Sequence, residues 1–153
     1  KKVFADTEQL QSFWQAFAMG DSEAVELFLN RTLSNSISVF DAKGRDEERE
    51  NSYHMLLVGL LAGKSDWLVR SNVEAGEGFA DIIVETDDLD DGVIVELKYV
   101  QTMTAMEKSC AKALAQIRAK RYAEYLHNNG REKVLLYGIA FCKKKCRVMA
   151  EKL

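Results

Sequence analysis

The sequence predicts an α/β domain, and two changes in residue pattern support that prediction. Apolar residues recur at helical spacing up to about residue 62 and then alternate with polar residues from Trp67 to Tyr99. A second helical stretch follows, and it precedes an apolar run of strand length near the end of the chain. The expected order is a helical hairpin, a helix, three strands, a long helix and two strands.

Three helices are expected before the first strand. Residues 7–18 and 22–34 each place apolar side chains on one face, and Gly20 between them favours a turn, so they should form a helical hairpin. Residues 36–45 are expected to be extended and then loop-like. The third helix should run from about 46 to 62, because its acidic start suits the helix dipole. Its apolar second half should be deeply buried.

The alternating region predicts three strands. They are Trp67–Val73, Phe79–Glu85 and Val93–Tyr99. Four aspartates lie between the second and third strands, and Asp91-Gly92 among them is a strong turn signal. Two strands joined by such a short turn should pair antiparallel.

The last third of the chain predicts one long helix and two strands. Residues 105–127 are rich in Ala, Lys and Glu, which favours a single helix. The apolar run 134–141 suits the centre of a sheet, and 146–150 is a short final strand. Cys142 and Cys146 flank three lysines of a predicted hairpin turn, so they could face each other and form a disulfide on oxidation.

Composition excludes some classes of protein. The chain has 153 residues, 47% apolar and 29% charged, which suffices for one compact domain with a core. It contains no run of about 18 apolar residues that could span a membrane. Three cysteines without a secretion signal make reduced thiols in the cytoplasm the expectation. The first residue is Lys1 rather than Met, so we expect a fragment of a longer protein.

Charge is distributed unevenly along the chain. The net charge is -3, which by itself argues against a nucleic-acid-binding protein. However, residues 1–100 carry nine Lys and Arg against 20 Asp and Glu, whereas residues 101–153 carry 12 against four. This asymmetry fits an acidic site facing a basic flank, and it fits equally well two parts of one domain that attract each other.

Three charged residues interrupt otherwise apolar strands. Asp81 lies in the second strand, and Glu96 and Lys98 share one face of the third. A lone buried charge is costly, so Asp81, a metal ion or both should accompany Glu96. Two carboxylates can hold Mg2+, and a nearby lysine can orient water or stabilise charge on a phosphate. The same spacing also fits a structural Glu–Lys pair, and spacing alone favours that simpler interpretation.

An ordered set of short motifs resembles the PD-(D/E)xK nuclease superfamily. The matching segments are Glu50–His54, Glu74–Asp81, Val95–Lys98, Ala113–Ile117, Lys120–Tyr122 and Tyr137–Phe141. More narrowly, the chain resembles the C-terminal nuclease-like domain that follows an AAA-ATPase-like domain in many bacterial proteins.

The resemblance implies a fold and an activity. The fold would be a restriction-endonuclease-like core of αβββαβ order, in which helices flank a mixed central sheet. That core would span residues 46–153 of one domain, after a helical N-terminal extension at 1–45. The activity would be metal-dependent hydrolysis of phosphodiester bonds, with Mg2+ or Mn2+ as the cofactor. The partners would be nucleic acid, DNA rather than RNA, and an upstream ATPase-like domain.

The resemblance also implies a metal site. Asp81 and Glu96 would be metal ligands, with the Leu97 carbonyl as a third. Glu50, on the first helix of the core, would join the metal shell directly or through water. Without the resemblance, Glu50 belongs to an acidic helix start, and it could simply hydrogen bond to His54 four residues later.

Two further residues receive roles from the resemblance, and two positions depart from it. Lys98 would be the catalytic lysine, and Gln116 on the long helix would line the site. Ala80 stands where the superfamily has a proline. Phe79 stands where the family commonly has a basic residue, and it therefore removes a candidate phosphate contact.

Two other classes of function remain open. The domain could be a catalytically inactive regulatory or nucleic-acid- or protein-binding module of an AAA-ATPase-like protein, whose site residues serve folding or the binding of a nucleic-acid end. It could also be an oligomerisation domain that uses the aromatic residues of the helical hairpin, Phe13, Trp14 and Phe17. The sequence does not give the oligomeric state.

Overall fold

The fold is a five-stranded sheet between two layers of helices, as predicted. A computed structural model describes residues 7–35 and 46–153, so the expected extended stretch at 36–45 lies outside the described residues. The helices are α1 (Thr7–Met19), α2 (Ser22–Ser34), α3 (Asp46–Ala62), α4 (Met106–Ala119) and α5 (Ala123–Asn128). The strands are β1 (Leu68–Ala75), β2 (Gly78–Glu85), β3 (Asp91–Tyr99), β4 (Lys133–Cys142) and β5 (Lys145–Lys152). A short 3-10 turn, Met103–Ala105, precedes α4.

The sheet is mixed, and its strands lie side by side in chain order. β1, β2 and β3 form an antiparallel meander, and β5 pairs antiparallel with β4. The central pair, β3 and β4, is parallel because α4 and α5 carry the chain back to the end of the sheet where β3 begins. β3 and β4 are apolar nearly throughout, because a layer of helices covers each face of the sheet.

Each face of the sheet has its own apolar core. One core joins α1, α2 and α3 to the sheet, and its members include Phe17, Leu61 and Tyr137. The other joins α4 and α5 to the opposite face through residues such as Ile94 and Leu114. Among the described residues, no helix combines the length and the apolarity that crossing a bilayer requires.

The turn predicted over residues 87–92 is confirmed for Asp87–Asp90 but extends too far, because Asp91 and Gly92 lie within β3. The chain turns earlier, between Thr86 and Asp91. Arg131 holds that turn: its Nη1 donates to the carbonyl oxygens of Thr86, Asp88 and Asp91 at 2.8–2.9 Å. Gly92 serves packing instead, since a Cβ there would lie 2.6 Å from Leu126 of α5.

The predicted long helix is divided into α4 and α5. Arg121 adopts a left-handed φ of 56° between them, so the helical path cannot continue. The Lys120 carbonyl at this break accepts the N–H of Glu77 at 2.8 Å, in the turn between β1 and β2. A Cβ on Gly76 would lie 2.1 Å from that carbonyl oxygen, so only glycine allows the contact. The break is therefore the place where α4 meets the β1–β2 turn.

The expectation that Cys142 and Cys146 face each other is also wrong. In the β4–β5 register Cys146 lies opposite Phe141, and Cys142 lies opposite Lys145. The two cysteines consequently point to different faces of the sheet, and they belong to different apolar clusters. Both are buried free thiols, as is Cys110.

Gly138 lets α4 cross the sheet closely. A Cβ at Gly138 would lie 2.4 Å from the Cys110 carbonyl oxygen and 3.1 Å from the Ala113 Cβ. Gly138 is the register partner of Glu96 on β3. The close approach of α4 therefore occurs beside the charged residue of the central strand.

We expect Gly138→Ala to lower the free energy of unfolding by about 2–3 kcal/mol, because backbone atoms of α4 rather than a flexible side chain must move. Urea denaturation followed by circular dichroism measures this. Gly130→Ala is the control: it has nothing within 4 Å but a φ of +85°, so it should cost about 1 kcal/mol of left-handed strain. A Gly138→Ala protein as stable as the wild type would contradict the close approach.

Candidate metal and catalytic site

The site begins where β2 separates from β3. Their paired register runs from Glu85 and Gly92 to Ile82 and Val95 and ends there. β2 remains paired with β1 as far as Gly78, so the hairpin of β1 and β2 bends away from β3 as a unit.

Asp81 occupies the point of separation. Its Oδ2 accepts the backbone N–H of Leu97 at 2.8 Å, which satisfies a donor that a continued strand pair would have used. The alternation of side chains also changes here: Ala80 joins the core beneath α4, whereas Ile82 joins the core beneath α1–α3. Asp81 is thus held at the mouth of the opening between the two strands.

β3 supplies the second carboxylate and the lysine. Leu97 packs on the α1–α3 core, so its neighbours Glu96 and Lys98 point to the opposite face, where α4 lies. The prediction that these two share a face is confirmed by their common partner on α4. Lys98 Nζ donates to Gln116 Oε1 at 2.7 Å, and Gln116 Nε2 donates to Glu96 Oε2 at 2.9 Å.

Gln116 connects the charged groups to the helix layer. Its amide oxygen faces the Lys98 ammonium and its amide nitrogen faces the Glu96 carboxylate, so each end meets the group of complementary character. Gln116 Nε2 also lies 3.2 Å from the hydroxyl of Tyr122, which is buried. The amide is therefore fixed in one orientation.

Glu96 carries the strongest electrostatic constraint in the site. Its side chain is 4% exposed, and its Oε1 is buried without a hydrogen-bond partner among the described residues. Burial and, to a smaller extent, the neighbouring Asp81 charge raise the pKa of Glu96 to about 8, while Lys98 opposes the shift. A buried carboxylate oxygen without a donor is costly in protein alone.

The donor set suits a hard divalent cation. Asp81 and Glu96 offer carboxylate oxygens at one place, and the buried Glu96 Oε1 is free to coordinate. Leu97 adjoins both carboxylates, because it follows Glu96 and donates its N–H to Asp81. Among the described residues no group of three His, Cys, Asp or Glu side chains is placed to hold a metal ion. The candidate site thus rests on two carboxylates.

Glu50 is placed differently from the other predicted site residues. It is exposed on α3, in the opposite helix layer from Gln116, and it does not complete a cluster of three carboxylates in the described chain. Its neighbour His54 contacts Ser71 of β1 through Nε2. The structure therefore brings together Asp81, Glu96, Lys98 and Gln116, and it leaves Glu50 at the periphery.

Sequence reasoning missed the hydroxyl of Tyr122 as part of the site. Tyr122 follows Gln116 by six residues, a separation that does not share a face on a regular helix. The break at Arg121 turns the chain and returns Tyr122 to the amide of Gln116. The sequence feature that could have indicated this break is Gly76, because it packs directly against the chain there.

Two cavities elsewhere in the described structure contain none of these side chains. A groove of about 600 Å³ opens at the end of the sheet where β3 and β4 begin, between Met19, Val134 and Leu153. A second, of about 290 Å³, lies beside α5. The candidate site therefore lies apart from both cavities, where β2 and β3 separate.

Comparison with known proteins identifies one family. The family model described as PD-(D/E)XK nuclease superfamily matches residues 48–151, about two thirds of the chain, including every residue of the site. No curated protein sequence matches the chain. The crystal structure of a protein named SSO0001 is similar at 15% identity and a TM-score of 0.42, over 99% of this chain and 68% of that one.

We expect the metal-free protein to lose stability as pH rises. The pKa of Glu96 is about 8 in the folded state against 4.5 ordinarily, so the folded state binds the proton more tightly. The unfolding free energy should therefore fall between about pH 4.5 and 8, by up to about 5 kcal/mol, and level off above. Thermal denaturation in EDTA across this range measures the fall.

Glu96→Gln is the matched control for that pH series. It keeps an acceptor for Gln116 and removes the titration, so the fall should disappear and the variant should exceed the wild type in stability at pH 8. The assignment is contradicted if wild type and variant show the same pH dependence.

Proposed function

The chain belongs to the PD-(D/E)XK nuclease superfamily, and on that premise we propose that it hydrolyses phosphodiester bonds of a nucleic acid with a divalent cation bound by Asp81 and Glu96. The observation that carries the proposal is the buried Glu96 carboxylate, whose Oε1 lacks a protein partner beside a second carboxylate and a lysine. Buried side-chain oxygens usually have a hydrogen-bond partner, so the unpartnered Oε1 is an exception that a bound cation would explain. Here one oxygen is bonded and the other is not.

The proposed cation is Mg2+, with Mn2+ as a substitute. PD-(D/E)XK nucleases generally use divalent metals, and carboxylate and carbonyl oxygens are the ligands that Mg2+ prefers. Asp81 and Glu96 would hold the cation, with the Leu97 carbonyl as a third ligand, and Glu50 would contribute through water. When bound, the cation lowers the pKa of a water ligand and offsets charge on the phosphate.

Lys98 is the protein side chain that assists hydrolysis. Its ammonium is held on the α4 face of β3 by Gln116, and it is only half-buried, so it can reach a solvent-borne substrate. From that position it donates a hydrogen bond to the attacking water or to a phosphate oxygen and stabilises the charge that develops there. Gln116 is a positioning residue, because it holds Lys98 and Glu96 in fixed relation.

The remaining parts of the proposal rest on the resemblance of the sequence to nuclease-like domains that follow an AAA-ATPase-like domain. They are DNA rather than RNA as substrate, an ATPase-like domain upstream in the parent chain, a cytoplasmic location, and a single domain that includes the helical hairpin. Family membership supports a nucleic-acid substrate in general terms.

A second candidate function is binding of nucleic acid without cleavage. Phe79 favours it, because it stands two residues before Asp81 where the family commonly has a basic residue. Its side chain is 62% exposed and offers no charge to a phosphate. In that case the site would bind a cation and a nucleic-acid end but would not complete hydrolysis.

Substitution of Asp81 should separate its metal-binding role from its structural role. Asp81→Asn retains an oxygen that can accept the Leu97 N–H, whereas Asp81→Ala does not. We expect both variants to lose Mn2+ binding by at least about tenfold in calorimetry, because each removes a charged ligand. Only Asp81→Ala should lower the melting temperature appreciably, by leaving that N–H without its acceptor.

The control is Asp66→Asn, since Asp66 is an exposed carboxylate in the loop before β1. This variant should bind Mn2+ as the wild type does. Unchanged Mn2+ binding in Asp81→Asn would contradict the proposed ligand.

Lys98→Gln should reduce cleavage without reducing metal binding. Glutamine can still hydrogen bond to Gln116 but carries no positive charge, so we expect cleavage of a radiolabelled single- and double-stranded DNA panel to fall by about 100-fold or more. Mn2+ affinity should be retained. Lys112→Gln, an exposed lysine on α4, serves as the control. Cleavage by Lys98→Gln at the wild-type rate would remove Lys98 from the mechanism, and binding without cleavage by the wild type would establish the second candidate function.

A further inference from the structure

Three consecutive lysines lie where β4 turns into β5, and we call them the trilysine turn: Lys143 and Lys144 form the turn itself, and Lys145 begins β5. β3 and β4 are parallel, and Lys98 pairs in register with Ala140. The trilysine turn therefore begins three residues beyond the level of Lys98, at the same end of the sheet. At about 3.3 Å per residue this places its backbone about 10 Å along the strand direction from that of Lys98.

Aromatic packing fixes the trilysine turn relative to β3. The Tyr53 hydroxyl of α3 donates to the Lys143 carbonyl at 2.5 Å. The Tyr53 ring stacks on Phe141 of β4, with centroids 4.3 Å apart, and on Tyr99 of β3, with centroids 5.9 Å apart. Lys143 itself has a left-handed φ of 55°, as a tight two-residue turn requires. The turn is thus a preorganised feature rather than a loose loop.

Charge is polarised along the sheet. The opposite end carries the aspartates of the β2–β3 turn and of the start of β3: Asp87, Asp88, Asp90 and Asp91. Lys133, which lies at that acidic end, is 3.9 Å from an oxygen of Asp90. In contrast, Lys143 and Lys145 are exposed and have no ion-pair partner in the part of the chain that the structure describes. A polyanion near the site would be drawn towards the trilysine turn and repelled from the aspartates.

We propose that the trilysine turn binds the phosphate backbone of the nucleic acid whose scissile phosphate lies at Asp81, Glu96 and Lys98. The inference rests on the proposed function and adds the direction in which the strand leaves the site. A separation of about 10 Å lets neighbouring phosphates of one strand lie at both places. Lysines in a rigid turn contact phosphates as point charges, so the contact is independent of base sequence.

The test compares two double variants that remove the same charge at opposite ends of the sheet. Lys143→Gln with Lys145→Gln removes the trilysine turn's exposed charges, and Lys133→Gln with Lys152→Gln is the matched control at the acidic end. Fluorescence anisotropy with a labelled 20-nucleotide duplex, in Ca2+ and at several salt concentrations, measures Kd. We expect the first variant to bind about tenfold more weakly and its salt dependence to fall by about two, since each phosphate contact contributes about 0.9 to the slope. The control should bind as the wild type does.

The outcomes distinguish this inference from the proposed function. Equal effects in the two double variants, or wild-type affinity in both, would overturn the role of the trilysine turn while the wild type still binds and cleaves. A wild-type protein that neither binds nor cleaves nucleic acid would overturn the proposed function and the inference together.

Discussion

The separation of β2 from β3 at Asp81 is the constraint on which the arrangement of the site depends. A sheet whose strands stayed paired would satisfy the Leu97 N–H by backbone and would leave no opening for a polar group. Here the Asp81 carboxylate accepts that N–H instead, so one side chain both ends the strand pair and stands at the opening. The β1–β2 hairpin can bend away because its turn docks through Gly76 onto the end of α4.

Burial of Glu96 gives the opening its chemical character. The carboxylate is nearly inaccessible, and only one of its oxygens is hydrogen bonded, to Gln116. Gly138 makes this possible, because it lets α4 approach the sheet closely enough for Gln116 to reach both Glu96 and Lys98. The protein thus holds a carboxyl group where its charged form is unfavourable, and a bound cation would relieve that cost. Membership of the PD-(D/E)XK nuclease superfamily agrees with that interpretation.

Much of the fold followed from residue periodicity, and the errors have physical causes. The strands and the first three helices lie where alternation and helical spacing placed them, because each buries one face. The predicted β2–β3 turn extended two residues too far, because Gly92 accommodates Leu126, a tertiary contact that local sequence does not report. The prediction of a single long helix was wrong for the same kind of reason, because the break at Arg121 accompanies a tertiary contact between Lys120 and the β1–β2 turn. In the site, spacing grouped Asp81, Glu96 and Lys98 but favoured a structural pair, so their roles and that of Gln116 required the family resemblance. Tyr122 depended on a helix break.

The most direct test of a cation site is the crystal structure of the protein with Mn2+, read by anomalous scattering. We expect one strong peak between Asp81 and Glu96. It should lie about 2–2.5 Å from Glu96 Oε1, the oxygen that has no protein partner. An additional water-bridged contact to Glu50 would place α3 in the metal shell as well. A structure with Mn2+ elsewhere, or with Glu96 Oε1 bonded to another protein group and no peak beside it, would contradict the account.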